Sequence, residues 1–191
     1  MNLLGRMINN YLMKMALPMG VWFIIEYMLR NAAAHNVLLG LISTPMMIVT
    51  PIALWYIIRN LRRQFLDDRI AGFQAWTFGT QLMFFAGLIE ALFIYIYNEF
   101  IFPGNLAEIQ QALIAQYEDA AASIRSLGVM TNMLGTLEET IEAMKQMPVS
   151  SPIETAISQL STDIFYGMIL MIPIALIVRK KANPENNEEN Q

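Results

Sequence analysis

The sequence contains no cysteine, a single histidine and few charged residues. Without cysteine it forms no disulfide, thiolate nucleophile or cysteine zinc site, and His35 alone makes no histidine metal cluster. Phosphate-binding loops and the zinc-protease and serine-hydrolase motifs are also missing. We therefore expect a protein that is not an enzyme and that carries no cofactor or metal. Charged residues make up only 15% of the chain, whereas soluble domains carry about 25%.

The 191 residues are instead 55% hydrophobic, and the mean hydropathy is +0.41. This composition is typical of a membrane protein, and the length fits one domain. The 15 methionines are best explained as flexible fillers of gaps between packed helices.

The most apolar stretch covers residues 73–97, which as a helix would extend about 37 Å, enough to cross a bilayer. Its small residues Gly72, Gly79 and Ala86 repeat every seventh position, and Glu90 falls on the same side. Because small residues let membrane helices approach closely, this side should face other helices and bury Glu90.

Three further spans are predicted around this one. The fold class is all-α, a polytopic membrane protein with four transmembrane helices and an extracytoplasmic helical hairpin between spans 3 and 4. The expected spans are about 12–30, 37–58, 73–97 and 157–178, with the amphipathic hairpin at about 105–147 and a disordered cytoplasmic tail at 182–191. Residues 32–34 also resemble a signal-peptide cleavage site, so cleavage of the first span stays open as an alternative.

Basic residues fix the expected orientation. Nine of the twelve lie at one predicted side, whereas residues 99–152 hold seven acids and two bases, a net charge of −5. Under the positive-inside rule both termini and the loop at 59–69 are cytoplasmic. The basic groups expected to anchor this side to the lipid are Arg59, Arg62, Arg63, Arg69, Arg179, Lys180 and Lys181. Binding of nucleic acid is not expected, because two acids accompany the loop cluster.

Capping signals indicate where the helices of the outer region begin and end. Ser151, Pro152 and Glu154 form a capping box with proline at the first helical position, which predicts one helix from there to Val178. In the hairpin, Gly128 predicts the end of the first helix, and Thr136 with Glu139 predicts the start of the second.

The layout resembles the bacterial integral membrane family named domain of unknown function 4199. The resemblance rests on the basic loop leading into Gly72-Phe73, the exit from the third span between Tyr97 and Pro103, an outer helical insertion and a fourth span that ends in lysines. It covers nearly the whole chain and implies a multi-pass protein of the bacterial inner membrane, without functional residues to carry over.

Glu26, Glu90 and Asp163 are expected in the outer half of the bilayer, with Arg30 as the one reliable cation at that depth. They form a candidate polar pocket. In the alternative, Glu90 bonds a serine or threonine across a helix contact, while Glu26 and Asp163 reach interfacial water. A local pair with Arg30, four residues later, also accounts for Glu26.

The leading functional hypothesis is a scaffold or accessory protein that binds a membrane partner, or a second copy of itself, through the outer hairpin. The alternative is an oligomeric transporter or channel for a small solute, cation or proton that uses these carboxylates.

Overall fold

The computed structural model describes residues 3–34, 36–126 and 131–180. His35, Lys181, the expected helix end at Gly128 and the expected tail at 182–191 lie outside this part of the chain.

The described chain is all-α, as predicted. Its elements are α1 (Leu3–Ala33), α2 (Val37–Phe65), α3 (Gly72–Ile96), a π-helical turn (Tyr97–Ile101), α4 (Asn105–Ser126), α5 (Thr131–Gln146) and α6 (Pro152–Val178). Within the described ranges there is no strand, and extended pairing is limited to one bridge between Ile70 and Lys180.

Three helical segments are long and apolar enough to cross a membrane: Leu3–Ala33, Gly72–Ile101 and Pro152–Val178. Large apolar side chains on their outer surfaces are exposed, including Leu17, Leu92, Phe165 and Ile169, each at 60% or more. An apolar coat of this extent is the surface that lipid requires, so the chain is a membrane protein. The second expected span, 37–58, lies in α2, which is not among the three candidate spans found in the described residues.

The bundle is organised around α3, which packs most extensively against α6 and next against α1. Close approach depends on glycine. A Cβ on Gly79 would overlap the thioether of Met171 on α6, and a Cβ on Gly20 of α1 would lie 2.8 Å from the Cβ of Ile89. Gly79, Ala86 and Glu90 are all buried, which confirms the predicted packing side of this helix.

The start of α6 is also confirmed. The Ser151 side chain accepts a hydrogen bond from the Glu154 backbone at 3.3 Å, and the Glu154 carboxylate accepts one from the Ser151 backbone at 2.9 Å. Pro152 is the first helical residue, where its missing N–H costs nothing.

Two predicted boundaries were wrong. α5 begins at Thr131, so Thr136 lies inside the helix, where its carbonyl accepts a bond from Thr140 Oγ1 at 2.8 Å. α2 continues to Phe65, which places Arg59, Arg62 and Arg63 on its last turns instead of in a loop. In both cases the helix propagates past a local signal, because each added residue gains a backbone hydrogen bond.

Candidate functional site

Two acids are buried where α3 meets α6. Glu90 lies on α3 and is 1% exposed, and Asp163 lies on α6 and is 8% exposed. Both therefore face protein instead of lipid or interfacial water. A buried carboxyl group is costly unless it is paired or protonated, so its surroundings decide its chemical state.

Gly87 makes room for the second acid. A Cβ at this position would lie 3.2 Å from Asp163 Oδ2 and 3.1 Å from Leu160 Cδ1, so a larger residue would push α6 away. Gly87 comes one turn before Glu90 on α3, so the Asp163 side chain lies against α3 close to Glu90.

Asp163 lies against Gly87, one turn from Glu90, and the two carboxyl groups interact with each other. Gln159, one turn earlier on α6, donates to Asp163 Oδ1 at 3.0 Å. Both Glu90 oxygens and Asp163 Oδ2 are buried and receive no hydrogen bond from any described group. Two ionised carboxylates are acceptors only, so this contact lacks a donor unless one of them carries a proton.

Helix α1 supplies the nearest cation. Arg30 Nη2 lies 3.7 Å from Glu90 Oε1, and the Arg30 side chain is 48% exposed. Glu26, half-buried one turn earlier on α1, interacts electrostatically with Arg30, with Asp163 and with Glu90. The structure thus brings all four predicted pocket residues into one region, which we call the carboxyl cluster (Glu26, Arg30, Glu90, Asp163).

The arrangement differs from the alternative considered from sequence. Glu90 accepts no bond from a serine or threonine, and Arg30 makes its ion pair with Glu90 instead of with Glu26. In the described part of the chain no three acidic or histidine side chains lie close enough to hold a metal ion.

A second polar network, not foreseen from sequence, lies beyond the carboxyl cluster at the end of α3. Asn98, which is 3% exposed, donates to the Tyr27 hydroxyl at 2.9 Å, and Asn105 donates to Asn98 Oδ1 at 2.8 Å. The π-helical turn carries Asn98 and brings it to face α1. No sequence pattern predicts that turn. Two asparagines seven residues apart beside an apolar run were nevertheless a usable signal for the polar network.

At the opposite end of the bundle, charges connect α2, α6 and the loop before α3. Arg62 Nε lies 2.8 Å from Asp68 Oδ1, Lys180 also pairs with Asp68, and Arg62 Nη1 donates to the Val178 carbonyl at 2.5 Å. We call this set the inner latch (Arg62, Asp68, Val178, Lys180). Two of the expected lipid anchors, Arg62 and Lys180, therefore have partners within the protein.

Among the other expected anchors, Arg59 stacks on the Trp55 ring at 4.9 Å. Arg63, Arg69 and Arg179 are exposed, and their contact with lipid stays a prediction.

Helices α4 and α5 pack antiparallel. Arg125 pairs with Glu138, Lys145 Nζ lies 2.7 Å from Glu118 Oε1, and Gln110 donates to the Met144 and Met147 carbonyls at 3.0 Å. Ala121 and Ile141 are buried between the helices, whereas Tyr117 is 39% exposed. Gln116 of α4 donates to the Ala34 carbonyl at 2.6 Å and so links this pair to the end of α1.

An open apolar groove of about 240 Å³ lies where α4, the end of α5 and the start of α6 meet. We call it the basal groove; its apolar lining is Leu106, Ile109, Leu113, Met144, Met147 and Pro148. Met147 is 62% exposed, so the groove opens to the surroundings of the protein.

Comparison with known proteins adds one finding. No curated protein and no solved structure matches this chain. A family model described as "Protein of unknown function (DUF4199)" matches residues 13–180, which include most of the first candidate span, all of the other two, the carboxyl cluster and the α4–α5 pair. The chain therefore belongs to this family.

Proposed function

We propose that this protein is a non-enzymatic accessory protein that binds a membrane partner through the α4–α5 pair. In this proposal it has four spans in the bacterial inner membrane, with both termini inside and the pair outside. The placement of basic groups supports this orientation, because Arg62, Arg63, Arg179 and Lys180 gather at one end of the bundle and the acidic α4–α5 pair lies elsewhere.

The observation that carries the proposal is the combination of the basal groove with unbalanced acidic charge. The only two bases in residues 99–152, Arg125 and Lys145, are already paired with Glu138 and Glu118. Glu108, Asp119 and Glu139 are exposed without a basic partner in the described chain. An apolar groove beside excess acid is complementary to an amphipathic segment with one apolar and one basic face.

The test is site-specific photo-crosslinking in native membranes. A photo-reactive residue at Ile109, in the basal groove, should give one defined adduct, and the same residue at exposed Thr140 should not. Met147→Lys should abolish the adduct by charging the groove, whereas Thr140→Lys adds the same charge elsewhere and should leave it intact. High salt should lower the yield of the adduct, because it screens the charges that attract the partner.

The adduct must also satisfy a chemical requirement. Its peptide map should place the crosslink on a segment with lysine or arginine on one helix face. Equal crosslinking from positions 109 and 140, or an adduct insensitive to Met147→Lys, would refute the docking proposal.

A second function, an oligomeric transporter or channel for a small solute, cation or proton, is supported by the carboxyl cluster. Buried acids in membrane helices commonly mark the path of a proton or solute. Reconstitution into vesicles that report internal pH distinguishes the two: transport predicts a flux that Glu90→Gln abolishes, and the accessory role predicts no flux.

A further inference from the structure

We propose that Glu90 and Asp163 form a proton-binding site, in which one proton is held between the two carboxyl groups and joins α3 to α6. This inference goes beyond the accessory role and does not depend on whether the α4–α5 pair binds a partner.

The first support is the burial of the two acids side by side. Glu90 Oε1, Glu90 Oε2 and Asp163 Oδ2 are buried and receive no hydrogen bond from the described residues, and Asp163 lies against Gly87, one turn from Glu90. If both groups were ionised, only acceptors would meet and nothing would hold them together. A single proton turns one group into a donor, so that the other accepts a short, charge-assisted hydrogen bond.

The second support is the balance of charge around the pair. Helix α1 contributes Arg30, which lies 3.7 Å from Glu90, and the half-buried Glu26. Helix α6 contributes Gln159, which donates to Asp163, and Tyr166, which interacts electrostatically with Glu26. With one shared proton the pair has a single negative charge beside Arg30, and the half-buried Glu26 is the other acid that interacts with this guanidinium. Without the proton, two negative charges at 1% and 8% exposure would face one guanidinium that is 48% exposed.

The third support is the limited space beside the pair. In the described part of the chain no three acidic or histidine side chains are grouped to hold a metal ion. A Cβ on Gly87 would lie 3.2 Å from Asp163 Oδ2, so the adjoining space is already tight. A proton needs no additional room.

The shared proton has a consequence for helix packing. Glu90 and Asp163 belong to the two helices with the most extensive mutual packing. Loss of the proton leaves two repelling charges at that contact, so deprotonation should loosen α3 from α6. The site therefore couples protonation to helix packing without requiring transport.

Infrared difference spectroscopy of the purified full chain in lipid nanodiscs tests the proposal, with H⁺ as the only ligand varied. A protonated carboxyl group gives a carbonyl band distinct from the carboxylate bands, and the band shifts in D₂O. Wild-type protein should show this band at neutral pH, where ordinary exposed acids are ionised, and should lose it on alkalinisation.

The variants assign the band. Glu90→Gln and Asp163→Asn should each remove it, because the remaining carboxylate can accept a bond from the introduced amide and no longer needs the proton. Glu139→Gln, at an exposed acid on α5, should retain the band. A wild-type spectrum without the band at neutral pH overturns the proposal, as does a band that survives in both cluster variants.

If a variant fails to fold, the wild-type spectrum and its D₂O shift decide alone. Replacing sodium with choline controls for a metal occupant: an unchanged band supports the proton, and a band that grows when sodium is removed shows that sodium occupies the pair and overturns the proposal.

Discussion

Ile70 and Lys180 exchange two backbone hydrogen bonds, from Ile70 N to Lys180 O at 3.2 Å and from Lys180 N to Ile70 O at 3.1 Å. These bonds join the loop before α3 to the end of α6, and the inner latch surrounds them. The Lys180 ammonium, which donates to Asp68, lowers the pKa of that carboxyl below 3.8, and Arg62 adds to the effect. Two segments remote in sequence are thus joined by backbone hydrogen bonds and by ion pairs.

The inner latch should contribute stability only while Asp68 is ionised. Because its pKa is lowered on folding, the contribution is complete above 3.8 and is lost as pH falls through the lower folded-state value. Asp68→Asn keeps a residue that tolerates the φ of 59° at this position. Its melting temperature should fall below that of wild type at pH 7, by less than about 4 °C.

The difference between Asp68→Asn and wild type should disappear as the melts are moved to acidic pH. Exposed Glu139→Gln is the matched control and should match wild type at pH 7. A difference that stays constant down to pH 3 would show that the charge of Asp68 does not stabilise the fold.

The membrane topology can be tested with single introduced cysteines, because the sequence contains no native cysteine that would have to be removed first. Single cysteines at exposed Gln64, at the end of α2, and exposed Ser126, at the end of α4, should react differently with a membrane-impermeant thiol reagent. In right-side-out vesicles we expect Ser126→Cys to label and Gln64→Cys to label only after permeabilisation. The reverse pattern would invert the proposed orientation.

Gly79 should be intolerant of a methyl group. A Cβ there would lie 2.6 Å from Met171 Cγ and closer still to the rest of that thioether. Gly79→Ala should therefore destabilise the protein by about 1–3 kcal/mol through overpacking. Met171→Ala removes the obstructing atoms at a cavity cost of its own, about 2–5 kcal/mol.

Because the two changes relieve each other, the double variant should lose less stability than the two single losses combined. Gly135→Ala is the control, since nothing lies within 4 Å of its missing Cβ and alanine favours the helix by about 0.5–1 kcal/mol. Additive losses at Gly79 and Met171 would contradict the packing of α3 on α6.

Ile141 should hold the α4–α5 pair together, because it is 7% exposed in the contact between the two helices. Ile141→Asp buries an unpaired charge there and should open the pair. Limited proteolysis should then cut within residues 105–147 while the spanning helices stay protected. Ala143→Asp, on the exposed face of α5, should leave the digestion pattern unchanged. Equal digestion of both variants would show that the helices do not depend on each other.

The sequence by itself determined the class of this protein and most of its helices. Apolar runs of bilayer length predicted three segments that the structure shows as candidate spans, and the capping box at Ser151 predicted the start of α6. The seven-residue repeat of Gly79 and Ala86 indicated the buried side of α3 and carried Glu90 with it. These features were readable because length, helical periodicity and capping are local properties of a chain.

Only the tertiary structure decided which partners the polar residues have. Arg30 is spaced to pair with Glu26, yet it pairs with Glu90, because α1 packs beside α3 at that level. Arg62 and Lys180 were predicted to meet lipid, and the approach of α6 to the loop before α3 gives them Asp68 instead. A side chain's partner depends on distances between segments remote in sequence, and those distances are set by how the helices pack.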